Sequence, residues 1–78
     1  MSLSRYALVI EPTSTGDSAF SPDVLGCAAV GDTEEETRAN FQEALAAHFD
    51  LMGGLGEPIP PPRTSVDYVE VSARFRTE

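Results

Sequence analysis

The sequence predicts an α+β fold with the element order β-β-β-α-β, in which an antiparallel sheet packs in two layers on one long helix. Three observations predict it. Short strand-like runs separated by turn residues come first, a long amphipathic segment with a helix-capping signature follows, and a last strand-like run lies beyond a proline-rich connector. A chain of 78 residues has room for one domain, which we expect to span residues 1–78 with residues 72–78 as a flexible tail.

The first strand is predicted at Arg5–Glu11, and Pro12 ends it. Successive side chains of a strand point to opposite faces, so its apolar residues divide between two faces. One face carries Tyr6, Leu8 and Ile10, and the other carries Ala7 and Val9. Both faces are fairly apolar, so we expect the strand to be covered by a helix on one side and by a partner subunit on the other.

Turn-forming residues divide the next part of the chain into two further short strands. The second strand is predicted around residues 18–21, where it forms a hairpin with the first, and the third at residues 27–30. Residues 24–26 are predicted to be a connector. The residues that break or bend the chain in this region are Pro22, Asp23, Gly26 and Gly31.

The clearest local signal is the start of a helix in the acidic run that begins at Asp32. Thr33 is expected to accept a hydrogen bond from the backbone N–H three residues on, and Glu36 to reach back to the Thr33 N–H. The positive end of the helix dipole also favours acidic side chains in the first turn. This is a sufficient structural reason for the acidic run that begins at Asp32. Glycines from Gly53 predict a helix end near Met52. The predicted apolar stripe is Thr37, Phe41, Ala44, Leu45, His48, Met52 and Leu55.

The run Glu57–Pro62 is too rich in proline for a helix or a central strand, so it is predicted to be an extended connector. A last strand is predicted at Ser65–Phe75 from its β-branched and aromatic content. With one helix on one sheet face, the other face would leave an apolar patch exposed unless a second copy covers it. The residues expected on that face are Ala7 and Val9, with Val69 or Tyr68.

The small size of the chain also predicts self-association. A domain of this size buries only ~60% of the surface that its unfolded chain exposes, so disulfides, a metal or oligomerisation usually add stability. Cys27 is the only cysteine and His48 the only histidine, so no internal disulfide is possible and no metal site is expected. We therefore expect a homodimer or a higher homo-oligomer.

The net charge of −8 bears on partners and location. The chain lacks the basic surface that binds a phosphate backbone, so nucleic-acid binding by this domain is not expected. Acids usually serve solubility alone, but they also suit a basic protein partner. No apolar run is long enough to span a membrane and no signal-peptide pattern is present, so a cytoplasmic location is expected.

No arrangement of residues predicts catalysis. His48 lies on the apolar helix stripe without a nucleophile placed beside it by the sequence, and Cys27 lies in a small apolar strand where a buried thiol is inert. The glycines after the helix do not form a phosphate-binding loop, because such a loop precedes a helix. We therefore expect a binding protein without a cofactor rather than an enzyme.

Three motifs together resemble the HicB-like antitoxin family. The run Ser21–Cys27 is similar to its Pro-Asp-hydrophobic-Gly-Cys step, and Gly31–Thr33 with Glu36 is similar to its Gly-Asp-Thr helix start. The run Gly56–Pro62 is similar to its Gly-Glu-Pro-Ile-Pro-Pro-Pro helix exit. The resemblance covers roughly residues 5–71, and the combination is specific although each motif alone is weak.

This resemblance implies a partial, catalytically incompetent RNase-H-like fold that neutralises a small basic HicA-type toxin, an mRNA-cutting ribonuclease, by covering its active site. It also implies homo-oligomers. Full antitoxins of the family usually add a C-terminal DNA-binding segment, and the sequence up to Glu78 has none, so operator binding is not expected. The alternative is a solitary HicB-like domain that acts as a regulatory or small-ligand-binding protein without a toxin.

The candidate partner-binding residues are acids outside the helix cap. For each of them, simple solvation is at least as good an explanation as a partner contact. These acids are Glu11, Asp17, Asp23 and Glu70. The residues with a predicted structural role in the turns, caps and connector are Pro22, Gly26, Gly31, Asp32, Thr33, Glu36 and Pro60.

Overall fold

A computed structural model describes residues 4–72 and 74 of the chain. Its elements are β1 (Val9–Pro12), β2 (Asp17–Ser21), β3 (Val24–Gly31) and α1 (Glu34–Gly54). The strands form one antiparallel sheet in the order β1-β2-β3, and α1 packs on one face of it, chiefly across β3 and β2. The predicted α+β class, an antiparallel sheet packed on one long helix, is confirmed. Within the described part of the chain, no helix is long and apolar enough to cross a membrane.

The strand register decides which residues face α1. Ala19 lies between Ile10 on β1 and Ala29 on β3, and it is buried against the helix. The neighbouring residue Phe20 lies between Val9 and Ala28 and therefore points to the opposite face. An irregularity after Phe20 pairs Ser21 with Val24, which brings Val24 into the core.

The hydrophobic core is small. Its buried members in the described residues are Ala19, Val24, Cys27 and Phe41. Half-buried side chains surround them, and the ring of Tyr6 meets that of Phe49 with centroids 5.3 Å apart. The other surrounding residues are Leu8, Ile10, Ala29, Ala44 and Leu45. The core thus joins the residues before β1, all three strands and the middle of α1.

The start of α1 is closely tied to the end of β3. Thr33 is the N-cap, and its Oγ1 accepts a hydrogen bond from the Glu36 N–H at 3.1 Å. The Glu36 carboxylate accepts from the Asp32 N–H at 3.3 Å rather than from the predicted Thr33 N–H, so the returning bond reaches one peptide before the cap. A Cβ at Gly31 would lie 2.6 Å from Thr37 Oγ1, so glycine permits this close approach of strand and helix.

The helix ends slightly later than predicted. Gly53 and Gly54 remain helical, and Leu55 is the C-cap. Glycine lowers the stability of a helix without preventing helical backbone angles, so the prediction near Met52 was early. Leu55, the last residue of the predicted apolar stripe, is the C-cap rather than part of the helix, and its side chain is 64% exposed.

Two strand boundaries also differ from the prediction. The first strand was predicted from Arg5, but β1 begins at Val9, and residues 5–8 belong to no strand. The third strand begins at Val24 rather than Cys27, since the residues predicted as a connector pair with β2. The bend at Gly26 lies inside this strand, where its positive φ of 81° suits glycine.

The predicted last strand at Ser65–Phe75 is wrong for the residues that can be described. Residues 65–72 and 74 belong to no helix or strand, while residues 73 and 75 lie outside the described part. A strand exists only when a neighbouring strand takes up its backbone hydrogen bonds, so a strand-like composition is not sufficient. Most of the predicted tail at residues 72–78 also lies outside the described residues.

Replacing Thr33 with alanine is expected to destabilise the domain by about 1 kcal/mol, because the Glu36 N–H loses its acceptor at the start of the helix. Thr33→Ser keeps a hydroxyl at the same position and is the matched control. Urea unfolding followed by circular dichroism measures both variants. Equal stability of the alanine and serine variants would show that the cap contributes nothing.

Candidate protein-binding surface

The face of the sheet opposite α1 is open and largely apolar. We call this surface the outer sheet face, and its residues by register are Val9, Glu11, Ser18, Phe20, Ala28 and Val30. Phe20 is 40% exposed and Val30 is 68% exposed. Exposed apolar side chains that lie side by side on a rigid sheet, next to polar ones, are typical of protein-binding surfaces.

An acidic end adjoins this face. The topology brings the β1–β2 hairpin, the end of β3 and the start of α1 to the same end of the domain, and Asp17 pairs with both Pro12 and Gly31. We call the group of acids there the acidic end. Its members are Glu11, Asp17, Asp32, Glu34, Glu35 and Glu36. Among the described residues, the ion pair there joins Arg38 to Glu34 at 3.5 Å, with both side chains exposed.

The structure separates the four predicted contact acids. Glu11 and Asp17 lie together at the acidic end, and Glu11 also belongs to the outer sheet face. Asp23 lies at the opposite end, in the turn between β2 and β3, and Glu70 is exposed in the segment that follows α1. The sequence interpretation assigned the acids after Asp32 to the helix cap alone, and missed that the fold places them beside the hairpin. Only the pairing of the β2 and β3 ends reveals this.

Asp23 binds to the chain itself. Its Oδ2 accepts hydrogen bonds from the N–H groups of Arg63 and Thr64, both at 2.8 Å, and its Oδ1 accepts from the Thr64 hydroxyl at 2.7 Å. The bonds from Thr64 and then from Arg63 hold the pKa of the Asp23 carboxyl below its usual value. We call this set of three bonds the Asp23 clamp. It fastens residues 63 and 64, which follow the proline-rich connector, to the β2–β3 turn.

A second contact fastens the proline-rich connector. The Tyr6 hydroxyl donates a hydrogen bond to the Pro60 carbonyl oxygen at 2.7 Å. Pro22 lies beside Asp23 in the β2–β3 turn. The chain that returns from α1 is thus held at two places, by Asp23 of this turn and by Tyr6 before β1. These polar contacts, rather than a strand pairing, determine its path.

His48 and Cys27 do not form a site together. Cys27 is buried, and burial raises the pKa of its thiol, which disfavours the reactive thiolate. His48 is half-buried, with its ring 6.2 Å from that of Phe49, and it lines a groove of about 300 Å³. The other residues that line this groove are Asp23, Val24, Leu25, Met52, Pro58 and Pro60. No cluster of three or more histidines, cysteines or acids in the described part of the chain could hold a metal ion.

Comparison with known proteins links this arrangement to one family. Residues 6–77 match the family described as the HicB-like antitoxin of a bacterial toxin-antitoxin system. "Antitoxin HicB 2" of Photorhabdus laumondii is 37% identical over 70 residues, which cover 88% of this chain and 50% of that protein. An "uncharacterized 14.9 kDa protein in rep-hol intergenic region" of Haemophilus phage HP1 is 33% identical over 64 residues, 82% of this chain and 48% of that protein. The chain thus spans about half the length of these curated relatives.

A solved structure has a similar fold. It is a chain of the "HicA3 and HicB3 toxin-antitoxin complex", with a TM-score of 0.68 and 33% sequence identity. The match covers 76% of this chain and 70% of that chain. At this level of identity and overlap, the sheet and helix described above have the same arrangement in both proteins.

The Asp23 clamp is expected to weaken in acid. Because the folded-state pKa lies below the ordinary value of 3.8, its stabilisation is present above that pH and is lost as the pH falls through the lowered pKa. Carboxyl-carbon chemical shifts should show Asp23 titrating below pH 3.8, with faster amide exchange of Arg63 and Thr64 at lower pH.

Asp23→Asn should accelerate the exchange of these two amides at neutral pH, since a neutral amide oxygen is a weaker acceptor than a carboxylate. Asp17→Asn is the matched control, because Asp17 lies at the opposite end of the domain. An Asp23 midpoint at or above 3.8, or unchanged exchange in Asp23→Asn, would contradict the clamp.

Proposed function

This chain belongs to the HicB-like antitoxin family of bacterial toxin–antitoxin systems, and we propose that it neutralises a small basic HicA-type toxin by binding it and covering its active site. The observation that carries this proposal is the fold shared, at 33% identity, with a chain from a solved toxin–antitoxin complex. The toxin implied by the family resemblance is an mRNA-cutting ribonuclease. The site of action would then be the cytoplasm, where mRNA is the toxin's substrate.

The outer sheet face and the acidic end are the surface that we assign to the toxin. The apolar centre around Phe20 would be buried in the complex, and Glu11 and Asp17 at its edge would face basic side chains. A net charge of −8 accelerates encounter with a basic protein. Asp23 has a smaller role in this proposal, because its carboxylate already accepts three hydrogen bonds within the chain.

The proposed mechanism is binding without catalysis. The Cys27 thiol is buried, and the groove that His48 lines is otherwise formed by apolar and proline residues and by Asp23, whose carboxylate is hydrogen-bonded to Arg63 and Thr64. The strong negative charge disfavours a direct role of this domain in nucleic-acid binding. The toxin's active site would be blocked sterically, by a rigid sheet face that needs no chemical group of its own.

Co-expression tests this function directly. Each small open reading frame that adjoins the gene is expressed alone and with this chain, and bacterial growth is scored. The proposal expects that one neighbour encodes a basic protein that arrests growth and that this chain restores growth. If no neighbour is toxic, the solitary regulatory or ligand-binding alternative replaces this proposal.

Phe20→Asp is expected to abolish the growth rescue, because a buried carboxylate without a partner strongly destabilises the complex. Leu51→Asp is the matched control: Leu51 is an exposed apolar residue, 62% accessible, on α1 rather than on the sheet. Circular dichroism confirms that both variants fold. Rescue by Phe20→Asp at the level of the control would exclude the outer sheet face as the toxin-binding surface.

Salt should slow the association of the purified proteins. We expect the association rate constant to fall by roughly tenfold or more between about 0.05 M and about 0.5 M salt, because screening removes the attraction between opposite charges. The double variant Glu11→Gln, Asp17→Asn should show a weaker salt dependence than the double variant Asp67→Asn, Glu70→Gln, which removes the same number of charges from the exposed residues after the proline-rich connector. Stopped-flow or surface plasmon resonance measures these rates. An equal salt dependence in both variants would contradict the role of the acidic end.

A further inference from the structure

A cavity of about 220 Å³ lies between α1 and the residues that lead into β1. We call it the helix-side cavity. Positions 38, 41, 42 and 45 of the helix line it, and this spacing places them on one stripe of α1. Tyr6 and Leu8 line it from the chain before β1, and both pack against the core between the sheet and the helix. The cavity therefore lies on the α1 side of the sheet, away from the outer sheet face.

The inner lining of the helix-side cavity is apolar and aromatic. Phe41 is 3% exposed and belongs to the core, so it forms a fixed floor. The half-buried side chains of Tyr6, Leu8 and Leu45 surround it. The Tyr6 ring is itself held in place, since it packs against Phe49 and its hydroxyl is hydrogen-bonded to the proline-rich connector. A flat aromatic ligand that enters this cavity gains contacts with aromatic side chains in addition to the burial of its apolar surface.

Hydrogen-bond donors lie at the mouth of the same cavity. Arg38 and Gln42 are exposed and one helical turn apart, and Ser4 is exposed on the chain before β1. A guanidinium group presents its N–H donors in a fork that matches the two oxygens of a carboxylate. The amide of Gln42 and the hydroxyl of Ser4 are further donors. The polar part of the lining therefore suits a ligand with a carboxylate group.

The contact between Arg38 and Glu34 leaves room for such a ligand. It joins Arg38 Nη2 to Glu34 Oε1 at 3.5 Å, and the two side chains are 57% and 67% exposed. Exposed ion pairs of this kind contribute little to stability. Within the described part of the chain, the other N–H groups of this guanidinium make no hydrogen bond. A carboxylate that accepts two parallel hydrogen bonds is a stronger partner for Arg38 than this single long contact.

We propose that the helix-side cavity binds a small aromatic carboxylic acid, with its ring against Tyr6 and Phe41 and its carboxylate on Arg38 and Gln42. The cavity is smaller than the roughly 300–1,000 Å³ of sites for drug-sized ligands, so the ligand has a single ring. The lining offers partners for a ring and a carboxylate only. The ligand is therefore a free acid rather than the end of a peptide, whose backbone would need hydrogen-bond partners as well.

The net charge of −8 does not prevent this binding. At physiological ionic strength, charges more than about 8 Å away are largely screened, so the nearby guanidinium has the larger effect on a bound carboxylate. The outer sheet face takes no part in the contact. The inference thus goes beyond toxin binding and does not depend on it.

The test is an NMR titration of the full chain with 3-phenylpropanoate up to about 10 mM, a range that suits a ligand of this size. Saturable shift changes are expected for the amides of residues 6, 8, 41 and 45 and for the side-chain N–H of Arg38. The neutral 3-phenylpropanamide has the same ring and nearly the same shape. It should bind about tenfold or more weakly, because it carries no charge for the guanidinium.

Arg38→Gln is expected to raise the dissociation constant of 3-phenylpropanoate by about tenfold or more, because the charged fork is lost. Arg63→Gln is the matched control: it removes the same charge from an exposed arginine outside the cavity, and should change the dissociation constant by less than about threefold. Circular dichroism confirms that both variants fold. Growth rescue is scored separately, so that failure of this inference is distinguishable from failure of toxin neutralisation.

Four results would overturn the proposal. The first is the absence of saturable shift changes at the cavity residues, and the second is equal affinity for the acid and its amide. The third is an Arg38→Gln variant that binds as tightly as Arg63→Gln. The fourth is tighter binding of the peptide Gly-Gly-Phe than of 3-phenylpropanoate, because such a result assigns the cavity to a chain end instead of a free acid.

Discussion

The packing of α1 across one face of the three-stranded sheet holds this domain together, because Phe41 and the buried residues of β2 and β3 form the core between them. Among the described residues, only four apolar side chains are buried in this core, so many other apolar side chains lie at least partly on the surface. One helix covers only one face of a sheet. The open face, with Phe20 at its centre, is a consequence of that constraint.

The same topology determines where the charge lies. Because the strands alternate in direction and α1 starts directly after β3, the hairpin and the helix start lie at one end. Six acids meet there, and the positive end of the helix dipole offsets part of their repulsion. A stable helix start and an attractive surface for a basic protein therefore arise from the same residues. Glu11 connects this end to the apolar sheet face, so the two features form one continuous surface.

Polar contacts, rather than apolar packing, hold the chain that follows α1. The Asp23 clamp and the Tyr6 hydroxyl hold the chain that returns from α1, while residues 67–72 remain exposed. This division gives the domain two independent surfaces. The outer sheet face is largely apolar, and the acidic end beside it suits a protein partner of opposite charge. Residues 66–72 expose four large apolar side chains: Val66, Tyr68, Val69 and Val71.

The sequence by itself determined the elements that depend on neighbouring residues: the hairpin between β1 and β2, the Thr33 cap and the apolar face of α1. These features arise from turn chemistry, capping and helical periodicity, which act over a few residues. Only the tertiary structure decided that Asp23 bonds to Thr64, 41 residues away, and that Asp17 lies beside the start of α1. It also decided that residues 65–72 form no strand, although their composition predicts one. The reason is that each of these features depends on residues distant in sequence: a strand needs a neighbouring strand, the acidic end needs the hairpin beside the helix start, and Asp23 needs its donors. Composition does not specify which distant residues the fold brings together.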